Sequence, residues 1–241
     1  SNASSITTNA SNISSNDTDI ASNASSITTN ATGIASNVTN IATNTSAIST
    51  LNDTTLSNFS SGARVFSDTR NNISLGQNTM QDNTTGKWNS AMGSKALYSN
   101  TTGNSNSALG YRALYTNTSG SGNSAQGANA LFNNTTGGFN IAIGNASMRF
   151  NTEGSNNTAS GVRSLQRNTT GSGNTAIGSD ALANSTTGSN NVAIGRNAAR
   201  SLSSGSNNVF VGYNACNSYT SISNALCIGS NGNNLITGNF S

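Results

Sequence analysis

Residues equipped for acid–base or nucleophilic chemistry are scarce in this chain and stand apart. Its 241 residues include no histidine, and only 7% are charged. The repeated part carries three carboxylates, Asp82, Glu153 and Asp180, each in a different repeat. Glycoside cleavage needs two carboxyl groups within about 5–10 Å, and general acid–base catalysis needs a matched group within hydrogen-bond reach. The spacing offers neither, so the chain reads as a non-enzyme without cofactor. Two cysteines without histidine make no zinc site. Cys216 and Cys227 fall in slots that other repeats fill with Leu and Ala, and read as two buried small hydrophobes. A disulfide across one coil is the alternative. What remains is amide and hydroxyl chemistry in series. Asn9, Asn16, Asn23, Asn30, Asn37 and Asn44 stand seven apart. Each amide has two N–H donors, so three chains meeting on an axis would enclose an anion or a water at each layer. Thr84, Thr101, Thr118, Thr135, Thr152, Thr169 and Thr186 stand seventeen apart and predict a row of hydroxyls. Such a row could meet a glycan or ice. The plainer reading is a turn ladder whose hydroxyls bond to neighbouring turns.

The elements that must position these groups follow from two periods. Over residues 1–52, isoleucine recurs every seven residues: Ile6, Ile13, Ile20, Ile27, Ile34, Ile41 and Ile48. Seven is the coiled-coil period. With Ile at position a, the asparagines three residues on take position d. The other frame would put Asp17 in the core and gain little apolar area. Ser, Thr and Asn are poor helix formers, so such a helix needs partners, and the converging amides need an axis. Residues 1–52 therefore predict a parallel trimeric stalk. Residues 53–75 break the heptads at Leu56 and Phe59 and hold a stop signal at Ser60-Ser61-Gly62. With Val65, Phe66, Asp68, Arg70, Ile73 and Leu75 they read as a neck.

From residue 76 to 241 the period is seventeen. Glycine recurs at Gly76, Gly93, Gly110, Gly127, Gly144, Gly161, Gly178, Gly195, Gly212 and Gly229. A fixed period of this size signals a solenoid whose units bury their apolar faces only by stacking. A second glycine series, from Gly86 to Gly205, closes turns such as Asn100-Thr101-Thr102-Gly103. Seventeen residues with two turns leave two short strands per coil, hence a parallel β-roll of nine coils and part of a tenth. In Val192-Ala193-Ile194, alternate side chains face opposite sides and both sides are apolar. A thin coil buries one side. The other side predicts contact with another chain.

Asn190-Asn191-Val192-Ala193-Ile194-Gly195 resembles the head repeat of trimeric autotransporter adhesins, and the Asn-at-d heptads resemble their stalks. The longer unit, as in Asn174-Thr175-Ala176-Ile177-Gly178 with Ala181-Leu182 and Thr186-Thr187-Gly188, is similar to tail-fibre repeats of phage and marine viruses. The resemblance implies a homotrimer, a left-handed β-roll head, and chloride ions or waters on the trimer axis at the Asn layers. The adhesin head repeat is shorter than seventeen residues.

Net charge is +3. Arg112, Arg149, Arg163, Arg167, Arg196 and Arg200 form no run and read as solvated arginines, not a nucleic-acid patch. Tyr98, Tyr111, Tyr115 and Tyr213 could stack on sugars, but are not read as one column. No apolar run is long enough to span a membrane, and no signal peptide is visible. The expectation is a non-catalytic attachment fibre of a virion, meeting a host-surface glycan or protein receptor or serving as a spacer. The order stalk then head favours a virus, because autotransporters place heads first. A bacterial surface adhesin is one alternative. An ice-binding solenoid is another, although Ser119, Glu153 and Ser203 interrupt its two Thr columns.

Overall fold

The computed structural model describes residues 2–61, 66–67, 70–231 and 233–239, with side chains over 2–49 and 70–231. Gly62, Val65 and Asp68, assigned above to the neck, lie outside the described residues. The chain divides into two compact units, Ser1–Asn58 and Phe59–Ser241.

The first unit is one helix, α1 (Asn2–Ser61). Its hydroxyls are absorbed locally. Thr7 Oγ1 donates to Ala3 O at 3.0 Å, and Thr18, Thr28, Thr32 and Thr43 bond four residues back in the same way. This bonding removes the competition with helix that makes Thr a poor helix former. The heptad isoleucines are left 59–68% exposed.

The second unit is a parallel β-solenoid of nine coils. Ten parallel strands stack in register: β2 (Ile73–Leu75), β3 (Ser90–Met92), β4 (Ser107–Leu109), β5 (Ser124–Gln126), β6 (Ile141–Ile143), β7 (Thr158–Ser160), β8 (Thr175–Ile177), β9 (Val192–Ile194), β10 (Val209–Val211) and β11 (Ala225–Ser230). Both ends of the ladder turn antiparallel. β1 (Phe66–Ser67) pairs with β2, and β12 (Asn233–Asn239) pairs with β11. The decaying tenth repeat is thus a hairpin strand rather than another coil.

One expectation is corrected. Each coil holds one three-residue strand, not two. The rest is turn, still bonded coil to coil: Leu97 N–H donates to Ala113 O and Thr101 N–H to Thr118 O, both at 2.9 Å. The reason is left-handed backbone. Lys95 (φ 60°) and Leu97 (φ 51°) curl the chain too tightly for a strand, and Arg112 and Leu114 do the same one coil on. Bulky side chains resist this region. Among the described residues, none of the non-glycine residues adopting it is β-branched. The leucines offset the strain by burial: Leu97, Leu114, Leu131 and Leu165 are fully enclosed, with Ala96, Ala113 and Ala130 beside them. The central alanine of each strand completes a thin core, from Ala91 to Ala193.

Two asparagine ladders flank that core. The main-chain N–H of Asn106 donates to Asn89 Oδ1 (2.9 Å). Its Nδ2 donates to the same oxygen (3.1 Å) and to Gly120 O (2.9 Å). The next coil repeats the pattern on Asn106 Oδ1 through Asn123. In the second ladder, Asn117 Nδ2 donates to Asn100 Oδ1 (2.7 Å) and to Gly120 O (2.9 Å). Gly120 O therefore ties both ladders together. A Cβ at Gly120 would lie 2.4 Å from Gly137 O and 2.5 Å from Asn117 Oδ1. The second ladder stops where Ser185 replaces asparagine, and Asn168 Oδ1 and Ser185 Oγ are both buried without a hydrogen-bond partner.

Three outcomes follow for thermal unfolding. Gly120→Ala should cost about 3 kcal/mol, because the clash is with main chain. The same change at Gly33 of α1, where a Cβ meets nothing within 4 Å, should stabilise by roughly 0.5–1 kcal/mol. Ser185→Asn should stabilise by about 1 kcal/mol, since it satisfies Asn168 Oδ1 and leaves one orphan acceptor in place of two. A lower melting temperature for Ser185→Asn would show that Leu202, next in the column, leaves no room.

Candidate functional site

The outer face of the strand ladder stands out by its exposure. The alanine of each strand points inward, and its two neighbours point out. Ile141, Ile143, Ile177 and Ile194 are 40–42% exposed, with Met92 and Leu109 at 49% and 47%. Val192 and Val211 are half-buried on the same face, and Ser90, Ser107 and Ser124 break it with hydroxyls. Single exposed apolar residues mean little, but a shared face of them marks a candidate interaction surface, here interrupted at β5 by Ser124 and Gln126 and at β7 by Thr158 and Ser160. This is the second apolar side that the Val-Ala-Ile pattern foretold.

The threonine row is a bonded ladder. Thr84 Oγ1 donates to Thr101 O at 2.9 Å, and each later member bonds the carbonyl seventeen residues on, through Thr186 to Ser203 O. These hydroxyl protons are therefore directed along the solenoid axis rather than toward solvent. The adjacent column, with Thr85, Thr102, Thr136, Thr170 and Thr187, is exposed. Asn9, Asn16, Asn23, Asn30, Asn37 and Asn44 lie exposed on α1, and within one chain they meet at no common centre.

One reading of the sequence is refined and one is corrected. As expected, the four tyrosines do not share one column: Tyr111 and Tyr213 stand one residue after the strand-ending glycine, Tyr98 and Tyr115 five residues after it. Tyr98 stacks on Tyr115 and Tyr115 on Phe132, with centroids 5.1 Å apart in each pair. Arg149 continues the column with its guanidinium 5.8 Å from the Phe132 centroid, and Arg112 lies 4.9 Å from that of Tyr111. The seventeen-residue spacing of 98, 115 and 132 was the available signal, missed because Phe132 was not counted with the tyrosines. The cysteines are not two free small hydrophobes: Cys216 and Cys227 form a disulfide. Cys216 sits in the leucine column and Cys227 in the strand-alanine column. Those two columns face each other across the coil interior, so burial of both sulfurs brings them together.

Arg163 forms a two-point ion pair with Asp180 one coil on, Nε to Oδ1 and Nη2 to Oδ2, both at 2.9 Å. The Asp180 side chain is 10% exposed and that of Arg163 50%. The hydrogen bonds from Arg163 hold the Asp180 carboxyl below its usual range, against the opposing effect of burial. Among the described residues no group of three His, Cys, Asp or Glu could hold a metal ion, and no helix is long and apolar enough to cross a membrane.

The pair predicts an acid-side dependence. A carboxyl whose native pKa is depressed contributes stability above its unfolded pKa and loses it as pH falls through the native value. Asp180→Asn should therefore unfold at a lower temperature than the parent at neutral pH. The gap should narrow as pH falls below the ordinary carboxylate range and close under strong acid. An equal gap at all pH values would mean that Asp180 acts by packing and not by charge.

No protein-family model matches the chain, and no curated protein and no solved structure matches it either.

Proposed function

We propose that this chain is a non-catalytic attachment fibre that works as a parallel homotrimer, and that it serves as a phage or virus tail fibre. The reading rests on one observation: each unit carries an apolar stripe that a single chain leaves in water. On α1 the stripe is the heptad isoleucines, 59–68% exposed. On the solenoid it is the outer strand face. Burial of apolar surface yields about 25 cal/mol per Å², and a Ser/Thr/Asn-rich helix has little else to hold it. Three copies in register would cover both stripes and gather the Asn9–Asn44 amides around an axis, where chloride ions or waters satisfy them. The bonded coil-to-coil ladders suit a load-bearing rod. The disulfide suits an oxidising milieu outside a cell. The order helix then solenoid suits a particle that is held by the helix and presents the solenoid to a host surface.

Sedimentation equilibrium should return three times the 24.3 kDa chain mass. A folded monomer in dilute solution would refute the assembly. Asn16→Ile combined with Asn30→Ile should raise the melting temperature, because apolar burial outweighs the amide layer. A fall would place the asparagines outside the core. Adsorption of the labelled trimer to host cells tests the role, with an ice-recrystallisation assay beside it. Strong ice shaping without adsorption would overturn the attachment reading.

A further inference from the structure

The basic residues of the solenoid are scattered in sequence but gathered in space. Counted from the glycine that ends each strand, Arg196 is one residue on, and Lys95, Arg112 and Arg163 are two on. Arg149 and Arg200 are five on, and Arg167 is six on. Positions three and four point into the core, as Ala96 with Leu97 and Ala113 with Leu114 show. The flanking positions therefore form one outward arc. Its two halves adjoin, since the Arg112 guanidinium lies 5.6 Å from the Tyr115 centroid. Arg200 likewise reaches Asp180 electrostatically. Seven of the chain's ten cations lie on this arc. Its carboxylates are Asp82 and Asp180, and Asp180 is already held by Arg163. The arc carries a surplus of positive charge that the net +3 conceals. From Lys95 to Arg200 it spans seven coils, six steps or about 29 Å at the interstrand spacing of sheets.

Aromatic side chains share the arc: Tyr98, Tyr115 and Phe132 in the stack, with Tyr111, Phe150 and Tyr213 39–47% exposed beside it. Arg112 and Arg149 pack on these rings. Their Nε atoms are buried without a hydrogen-bond partner, and among the described residues no acidic side chain forms an ion pair with either. Ring packing, not a carboxylate, thus fixes the two guanidiniums. A guanidinium held this way loses little freedom when it grips an anion.

We infer that this arc binds an acidic polysaccharide lying along the solenoid axis. Guanidinium forks take its carboxylate or sulfate groups, and tyrosine hydroxyls serve the sugar hydroxyls between them. The inference names the ligand class for the attachment role and rests on that reading. Nucleic acid fits less well. A single strand needs open ring faces on which bases stack, and Tyr115 has both faces covered. A duplex presents a charge about every 1.7 Å, far denser than an average of one cation per coil. A neutral glycan would leave the charge unused.

Surface plasmon resonance on the full chain tests this at low and high salt. The immobilised probes are polygalacturonate, dextran sulfate, neutral dextran and a single-stranded oligodeoxynucleotide. Binding to one or both acidic polysaccharides at low salt is expected, weakening steeply at high salt, with none to dextran. The combined Arg167→Gln, Arg196→Gln and Arg200→Gln variant should lose about tenfold or more in affinity. The three corresponding Lys substitutions should restore part of it. Lys87→Gln, off the arc, should change nothing. If the triple variant melts early, Arg196→Glu alone supplies the readout and should weaken binding. Absence of binding to both acidic polysaccharides, equal binding by the triple variant, or preference for dextran or the oligonucleotide would each overturn the inference. Host-cell adsorption separates the two claims. Adsorption unaffected by the triple variant keeps the attachment role and removes the acidic ligand. Polysaccharide binding without any adsorption does the reverse.

Discussion

Everything in the solenoid depends on one constraint: each side chain must fit against the residue seventeen positions away, one coil along the axis. That neighbour is about 4.8 Å distant, so a column accepts only groups that can sit on copies of themselves. Asparagine does so with its amide. Its oxygen accepts from the next coil while its nitrogen donates to the previous one and to a glycine carbonyl, as at Asn106. Threonine does so through a hydroxyl and a carbonyl, aromatic rings by stacking, and alanine and leucine by contact. The composition, rich in Asn, Thr, Ser, Gly and Ala, lists the residues that pass this test.

Glycine answers a different part of the same constraint. At Gly161 the backbone φ is 143°, and a Cβ would lie 2.5 Å from the carbonyl of Gly178. At Gly120 the φ is ordinary, and the obstacle is the asparagine ladder itself. The two glycine series are thus fixed for different reasons, one by backbone conformation and one by the space its neighbours need. Leucine in the left-handed region, as at Leu97 and Leu114, is a costly local choice. It persists because the same residue fills the core.

The sequence made the period, the inward alanine and the outward valine and isoleucine legible, because strand alternation and a seventeen-residue repeat are linear properties. It did not reveal the number of strands per coil. The cause was a leucine in a conformation that propensity assigns to Asn and Gly. The Cys216–Cys227 bond was also weighed as the lesser option, since eleven residues of separation does not say which columns face across a coil. The spatial grouping of charge was hidden for a related reason. Lys95, Arg112, Arg149, Arg163, Arg167, Arg196 and Arg200 share no linear run, and only the coil's curvature puts them on one side.

That curvature bears on why charge is rare and where it occurs. Two like charges about 4 Å apart repel by roughly 1 kcal/mol even in water, so a column repeating a charge in every coil would work against its own stacking. The arginines avoid this: Arg149 and Arg200 share a column but stand three coils apart, Arg167 shares its column with a charge of opposite sign, Asp82, five coils away, and Arg196 stands alone in its own. Where a charge does have a charged neighbour in its column, the relation is managed. Asp180 lies beneath Arg163. Arg112, beneath Lys95, turns onto Tyr111 and Tyr115 instead. A neutral side chain would satisfy any of these columns at lower cost. Stacking therefore does not account for the cations, and their concentration on one arc is a property of the surface rather than of the core.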